Sequence, residues 1–337
     1  MEPITAGIQP AQNINDFIKA DYIMSAPEIA PEQIQPASLD VRLGTIAYRL
    51  RASFLPGAER SISTCLDDVI MHKIDLTNGA VLETNCVYLI PLMEKLNLPD
   101  DLSARANPKS STGRLDVFTR IICDYGSAFD HIPSGYTGPL YAEISPRTFS
   151  VFVRPGDRLA QIRFRKGEGL ETRQQMVTID LGGDDIMGWR ARRHSNVVDL
   201  QKIGMHAALD YWEPLRAPLG KLILDPEEFY ILASKEAIII PPNEAAEMAP
   251  IATEIGEFRA HYAGFFDPGF GVDVAGGSGS RAVLEVRGRD VPFLLQDGQA
   301  VAKLVFEPMA ARPDQLYGAQ GSHYQAQGLR LSKYFKI

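Results

Sequence analysis

Cysteine is scarce in this 337-residue chain: there are three, Cys65, Cys86 and Cys123, an odd number with no CxxC spacing. That usage excludes a disulfide framework, argues against a structural zinc, and fits a reducing cytoplasm. Long apolar runs are missing as well. Stretches such as Ala237–Ile240 fall far short of the roughly 20 residues that span a bilayer. The opening Met1-Glu-Pro-Ile-Thr has neither the basic nor the apolar region of a signal peptide. A cytoplasmic protein is expected, not a membrane or secreted one. Positive charge is also short, with 34 Lys and Arg against 42 Asp and Glu, a net charge of −8. Binding a nucleic-acid polymer rests on neutralising many phosphates, so DNA or RNA is disfavoured as a partner. A small phosphorylated ligand needs only a few local donors and stays open.

Helical periodicity is sparse too, convincing over Ile14–Ile23 and readable again over Val198–Met205. What remains is short apolar stretches punctuated by Gly, Pro, Asn and Asp. With 45% apolar residues, 28 Gly and 23 Pro, this describes a globular, mainly β protein of barrel or sandwich type. The length suggests two domains. The chain reads as written twice, at an offset of about 142. Cys86–Leu92 resembles Glu228–Ser234, Tyr141-Ala-Glu143-Ile falls opposite Val283-Leu-Glu285-Val, and Val153–Phe164 falls opposite Leu295–Phe306 with Gly156 and Gly298 at matching turns. With Leu98-Pro99-Asp100-Asp101 opposite Pro241-Pro242-Asn243-Glu244, four ordered matches at nearly one offset indicate duplication. The division is placed between Gly182 and Leu219, giving domains 1–195 and 196–337. The Arg190, Arg192, Arg193 cluster beside it reads as a solvated linker face.

The densest polar segment is Ala106-Asn107-Pro108-Lys109-Ser110-Ser111-Thr112-Gly113-Arg114. Two cations, three hydroxyls and a glycine can wrap a phosphate chain; a capped helix start is the plainer alternative. The second copy places Ala252, Glu254 and Glu257 at the corresponding positions, so only the first can take phosphate there. A second segment runs from His261 through Asp267-Pro268-Gly269-Phe270 to Ala282-Val283-Leu284-Glu285. Asp267 suits the cap of its Asp-Pro-Gly turn. Glu285 stands in an apolar strand, where burial would suit a general base and a solvent face would not. Val272–Ser280 reads as a hairpin tip. The histidines show no ligand spacing, and no HxE…PCxxC zinc signature, GxSxG, Walker or Rossmann pattern occurs.

These residues resemble the deoxycytidine triphosphate deaminases of the deoxyuridine triphosphatase superfamily. Gln35-Pro-Ala-Ser-Leu-Asp40-Val-Arg42-Leu-Gly44 is similar to the family's early strand motif. Lys109–Arg114 is similar to its RSSxxR motif, with lysine in the first arginine's place. Phe266–Phe270 with Ala282–Glu285 is similar to its IDPGW…VLE segment, and Tyr317 to Gly328 to its closing tail. Arg154–Gln161 is similar to the triphosphatase form of the fourth motif.

The resemblance implies two tandem distorted jelly-roll barrels with a few short helices. It implies hydrolytic deamination of dCTP to dUTP and ammonia, with magnesium carried by the nucleotide and no zinc. Lys109, Ser110, Ser111 and Arg114 would hold phosphates and water, and Asp267 and Phe270 the sugar. The Val283–Leu284 backbone would read the pyrimidine, and the Ala263 carbonyl would help orient water. Glu285 would shuttle the proton, with Glu143 a remnant or a structural residue. Tyr317, His323 and Gln327 would complete the tail, although the family usually has lysine at the His323 position. Family sites draw on two subunits, so this chain is expected to assemble one across its own repeats, within a homo-oligomer built on threefold or pseudo-threefold contacts. Two alternatives stay open: a diphosphatase or bifunctional enzyme, and a non-catalytic nucleotide binder.

Overall fold

The computed structural model describes residues 5–167, 170–183, 185–249, 258–261, 264–272, 279–318 and 328–336, with 258–261 described in backbone only. Helix α1 (Ala11–Lys19) forms where Ile14 and Phe17 recur at helical spacing, and both are fully buried. That burial contributes roughly 1.5–3 kcal/mol per side chain. Strands β1 (Ser38–Val41), β2 (Val87–Asn97), β3 (Leu102–Pro108), β4 (Val117–Cys123), β5 (Thr137–Pro146) and β6 (Ala160–Lys166) build the first repeat. One sheet carries β3, β6 and β1, the other β4, β5 and β2. Alternate residues of both, such as Ala104, Ile162 and Leu39 against Ile90, Ala142 and Ile121, meet in one core.

The second repeat continues with β7 (Arg173–Thr178), β8 (Gly188–Ala191), β9 (Phe229–Ile238), β10 (Glu244–Ala249), β11 (Phe258–His261), β12 (Ser280–Gly288) and β13 (Ala300–Pro308). Strands β7, β13 and β10 form one sheet; β8, β9, β12 and β11 form the other. The duplication is visible in register. Glu143 on β5 stands between Leu89 on β2 and Arg120 on β4, and Glu285 on β12 between Ile231 on β9 and His261 on β11. Gly156 and Gly298 both take positive φ, +88° and +76°, at the matching turns.

The β8–β9–β12 sheet is buried on both faces. Tyr230, Leu232, Ala282, Leu284 and Val286 point into the second core. Trp189, Phe229, Ile231 and Val283 pack against the first. A two-sided wall requires an unbroken apolar run, and Phe229-Tyr-Ile-Leu-Ala233 supplies one.

Sheet membership changes over between Lys166 and Arg173, although Val198–Asp199 returns to pair with Val151–Phe152. Two expectations are corrected. Arg190 belongs to strand β8 and pairs with Glu213 at 2.7 Å, so it is no linker residue, whereas Arg192 and Arg193 follow the strand and are exposed. Val198–Met205 is not helical, because Arg154 grips the Asp199 carboxylate at 2.6 and 3.0 Å and Gly204 turns at φ +65°. A helix instead spans Ile62–Val69 (α2), where Ser61 Oγ accepts from Thr64 N at 3.3 Å. Among the described residues, no helix is long and apolar enough to cross a membrane.

Candidate active site

Strand β3 runs into the phosphate-type segment and stops at Pro108. Lys109 N donates to Leu159 O at 2.8 Å, which ties the segment to the start of β6. Ser110–Gly113 then make a single helical turn, α3, closed by Arg114 N donating to Ser110 O at 3.1 Å. The helix-start geometry and the hydroxyl cluster are therefore the same object. Ser111, Thr112 and Arg114 are buried. Lys109 Nζ pairs with Asp40 Oδ2, and Arg158 Nη1 lies 3.8 Å from the same oxygen. Asp40 is 1% exposed, and its Oδ1 has no hydrogen-bond partner among the described residues.

The second repeat meets this turn within the same chain. Gly264 N donates to Asn107 Oδ1 at 3.0 Å. Gly264 sits at φ +101°, and a Cβ there would lie 3.3 Å from Ser110 N, so glycine answers both the backbone and the close approach. Three residues on, the Asp267 carboxylate does not simply cap its turn. Phe270 N donates to the Asp267 carbonyl at 3.1 Å, and the carboxylate pairs with Arg163 of β6 at 3.0 Å. Arg163, 2% exposed, also donates to the carbonyls of Ala37, Ala246 and Phe266 and stacks over Phe265 at 4.0 Å. Burial pushes the Asp267 carboxyl above the usual carboxylate range, and Arg163 opposes that rise. Phe270 is buried, 5.6 Å between ring centroids from Tyr317, whose N–H donates to Pro268 O at 2.8 Å.

A cavity of about 510 Å³ opens between the repeats. The first contributes Asp40, Lys109, Ser110, Ser111, Arg158 and Gln161 to its wall. The second contributes Gly264, Asp267, Tyr317 and Lys333.

Glu285 is 2% exposed, which removes the solvent-face reading. Alternation along β12 places it on the face turned away from the second core. Its same-face neighbour Val283 packs on the first core, and Arg287 pairs with Asp116, two residues beyond Arg114. The strand face carrying Glu285 thus packs on the first repeat and meets it at Asp116. Leu284 is core, leaving only its backbone for recognition. Glu143 lies elsewhere, paired with Arg120, whose Nη2 also donates to Ser53 Oγ at 3.1 Å. Nearby Asp130 is pushed up to about 7 by burial. Ala263, His323, Gln327, Ala252, Glu254, Glu257 and most of the Val272–Ser280 tip lie outside the described residues.

Asn107 stood inside the polar segment singled out above without a role of its own; sequence reasoning missed Arg158, Arg163 and Lys333. Arg158 stood inside the Arg154–Gln161 motif, and its wall position was available from that match. Lys333 carries no local signal, because only the fold brings the terminus back to residue 111.

Comparison with known proteins agrees with this geometry. A family model described as the 2'-deoxycytidine 5'-triphosphate deaminase (DCD) N-terminal domain matches residues 5–168. The model of the corresponding C-terminal domain matches residues 156–335. The crystal structure of 2'-deoxycytidine 5'-triphosphate deaminase from Agrobacterium tumefaciens is 52% identical in sequence. That match covers 90% of this chain and 99% of that one, with a TM-score of 0.87. Shorter relatives match one repeat's length. The "dCTP deaminase, dUMP-forming" of Methanobrevibacter smithii is 27% identical over 158 residues, 45% of this chain and 77% of that protein. The "dCTP deaminase" of Haloarcula marismortui is 30% identical over 151 residues, 43% of this chain and 73% of that protein. Both halves of the chain, and the fold that joins them, therefore belong to the dCTP deaminase family of the dUTPase superfamily of enzymes.

Proposed function

We propose that this chain deaminates dCTP to dUTP and ammonia at a site shared by its two repeats, with Glu285 moving the protons and no zinc taking part. The observation that carries the reading is the burial of Glu285 on a strand face where Arg287, two residues on, pairs with Asp116 of the other repeat. Water attacks cytosine C4 as Glu285 takes one of its protons and delivers it to N3. The remaining hydroxyl proton then passes through Glu285 to the amino group, which leaves as ammonia. Arg114 and Ser111, fixed in one helical turn, hold the water and the developing charge. Ser110 and Lys109 bind phosphate oxygens, Asp267 and Phe270 the sugar, and the Val283–Leu284 backbone the base. Ala263, Tyr317, His323 and Gln327 keep the orienting and closing roles implied by the resemblance.

Magnesium travelling with the nucleotide fits the oxygen donor at hand. Asp40 lines the cavity, its Oδ1 is a buried carboxylate oxygen without a partner among the described residues, and magnesium binds through one or two carboxylates plus phosphate oxygens. When bound, the ion screens phosphate charge. Homo-oligomerisation through threefold contacts belongs to the same proposal and is read by light scattering.

A second reading, deamination with release of diphosphate, is favoured by the printed name of the Methanobrevibacter relative and by Arg158 and Gln161 in the cavity wall. An assay following ammonia and diphosphate together from dCTP separates the two. Ammonia alone is expected. Both products together give the bifunctional enzyme, and nucleotide binding without either product gives the non-catalytic binder.

A further inference from the structure

A buried ion pair joins the end of the phosphate turn to the strand that carries Glu285. Asp116 closes the turn: its N–H donates to Gly113 O at 2.7 Å, and its carbonyl accepts from Arg147 N at 2.9 Å. Its Oδ2 accepts from Thr148 Oγ1 at 2.6 Å and from Arg287 Nη2. Arg287 also donates to the Thr148 hydroxyl at 3.0 Å and, through Nη1, to the carbonyl of Glu227. One guanidinium thus bridges the first repeat, at the end of α3, and the second repeat, at the turn before β9. The Arg287 and Asp116 side chains are 14% and 0% exposed. Burial pushes Arg287 down to about 10, so it stays charged at neutral pH.

The pair is poorly built for stability alone. Asp116 Oδ1 and Arg287 Nε are buried without a hydrogen-bond partner among the described residues. Asp116 also holds a left-handed backbone, φ +56°, which few non-glycine residues adopt. A buried pair that leaves hydrogen-bonding atoms unused offsets little of its desolvation, and uncharged side chains of similar volume hold a fold about as well. What the pair does supply is register. Arg114 stands two residues before Asp116, and Glu285 two residues before Arg287 on the same strand face. In the first copy the position matching Arg287 is Ser145, two residues after Glu143. The cation therefore accompanies Glu285 and not its first-copy counterpart.

We propose that Asp116 and Arg287 are positioning residues for the deamination, an inter-repeat latch that sets the Glu285 strand in register with the turn ending at Arg114. They act through those neighbours, not by contact with the nucleotide. The inference rests on the deaminase reading for its chemistry, but the latch itself is measurable without turnover.

The test compares wild type, Arg287→Met, Asp116→Asn and the double variant in dCTP turnover and in urea unfolding. Asparagine tolerates the left-handed backbone and keeps an acceptor for Thr148. Each single variant leaves one charge buried alone and lowers the urea midpoint. The double variant buries no charge there and regains most of the midpoint. Its kcat stays down by about tenfold to a hundredfold, while KM for dCTP moves by less than about threefold, the mark of lost alignment. A merely structural pair would return activity together with stability. A kcat that recovers with the midpoint, or stays within about threefold of wild type in all three variants, overturns the proposal. Amide exchange gives the readout without turnover: residues 110–116 and 282–288 exchange faster in the double variant, and residues 90–96 do not. Unchanged exchange in both segments overturns the proposal whatever the activity. A wild type that binds dCTP but releases no ammonia refutes the deaminase reading, and faster exchange in the double variant then leaves the latch standing.

Discussion

Arg163→Met is the most informative stability perturbation, because it removes one charge and keeps most of the stem. Arg163 is buried and serves four acceptors: three carbonyls at 3.1–3.3 Å and the Asp267 carboxylate at 3.0 Å. Breaking a buried pair by deleting one partner costs about 3–5 kcal/mol, since the other charge is left without compensation. Asp267 then has one escape, which is to bind a proton. Its carboxyl already sits above the usual range through burial, and losing Arg163 raises it further. An acid whose folded pKa exceeds its unfolded value binds more protons when native. Its destabilisation is absent below the unfolded pKa and grows as pH rises toward the folded one. Urea unfolding of the variant should therefore show a smaller deficit near pH 5 than near pH 8, by about 1.4 kcal/mol for each unit of added shift. Arg163→Met with Asp267→Asn should recover more than half of the loss at the higher pH. A deficit below about 1 kcal/mol, or one that does not vary with pH, would refute the reasoning.

Three further outcomes follow from the same geometry. Asp130→Asn should stabilise the fold near pH 8 and not near pH 4. The Asp130 carboxyl, pushed up to about 7, opposes folding increasingly from about pH 4 to pH 7 and fully above that; after solvent screening the gain is on the order of 1–2 kcal/mol, read by urea unfolding. Asparagine keeps the acceptor for Ile121 N and tolerates the residue's φ of +60°. Gly264→Ala puts a Cβ 3.3 Å from Ser110 N at a φ of +101°, so it should cost on the order of 1–3 kcal/mol and raise KM for dCTP; unchanged kinetics would mean that the two segments are not held in contact. Glu285→Gln should lower kcat by roughly 10²–10⁴-fold, whereas Glu143→Gln should change it by less than about threefold; a reversed pattern moves the chemistry into the first repeat.

The duplication was legible because strand alternation and turn glycines repeat at one offset, and the same period survives in the Glu143 and Glu285 registers. The phosphate turn was legible because its donors are contiguous. The strand partners of Arg173–Thr178 and Gly188–Ala191 were not, since they lie far along the chain. The orientation of Glu285 was equally hidden. Alternation says that it opposes Leu284, but a second core on the other face, built from Trp189, Ile231 and Val283 with the first repeat, decides that it is buried. Arg163 read as one arginine in a strand, and its four buried acceptors come from residues 37, 246, 266 and 267, which only the folded chain brings together.

The central claim is that one chain supplies both halves of the site. Its most direct test mixes two inactive variants, Arg114→Ala and Glu285→Gln, by co-expression and by refolding together, and measures ammonia released from dCTP. Each mixed assembly then contains intact phosphate turns and intact Glu285 strands, but on different chains. The account predicts no recovery, because Gly264 meets Asn107, and Arg287 meets Asp116, within one chain. Recovered ammonia release would contradict it and place the site between chains.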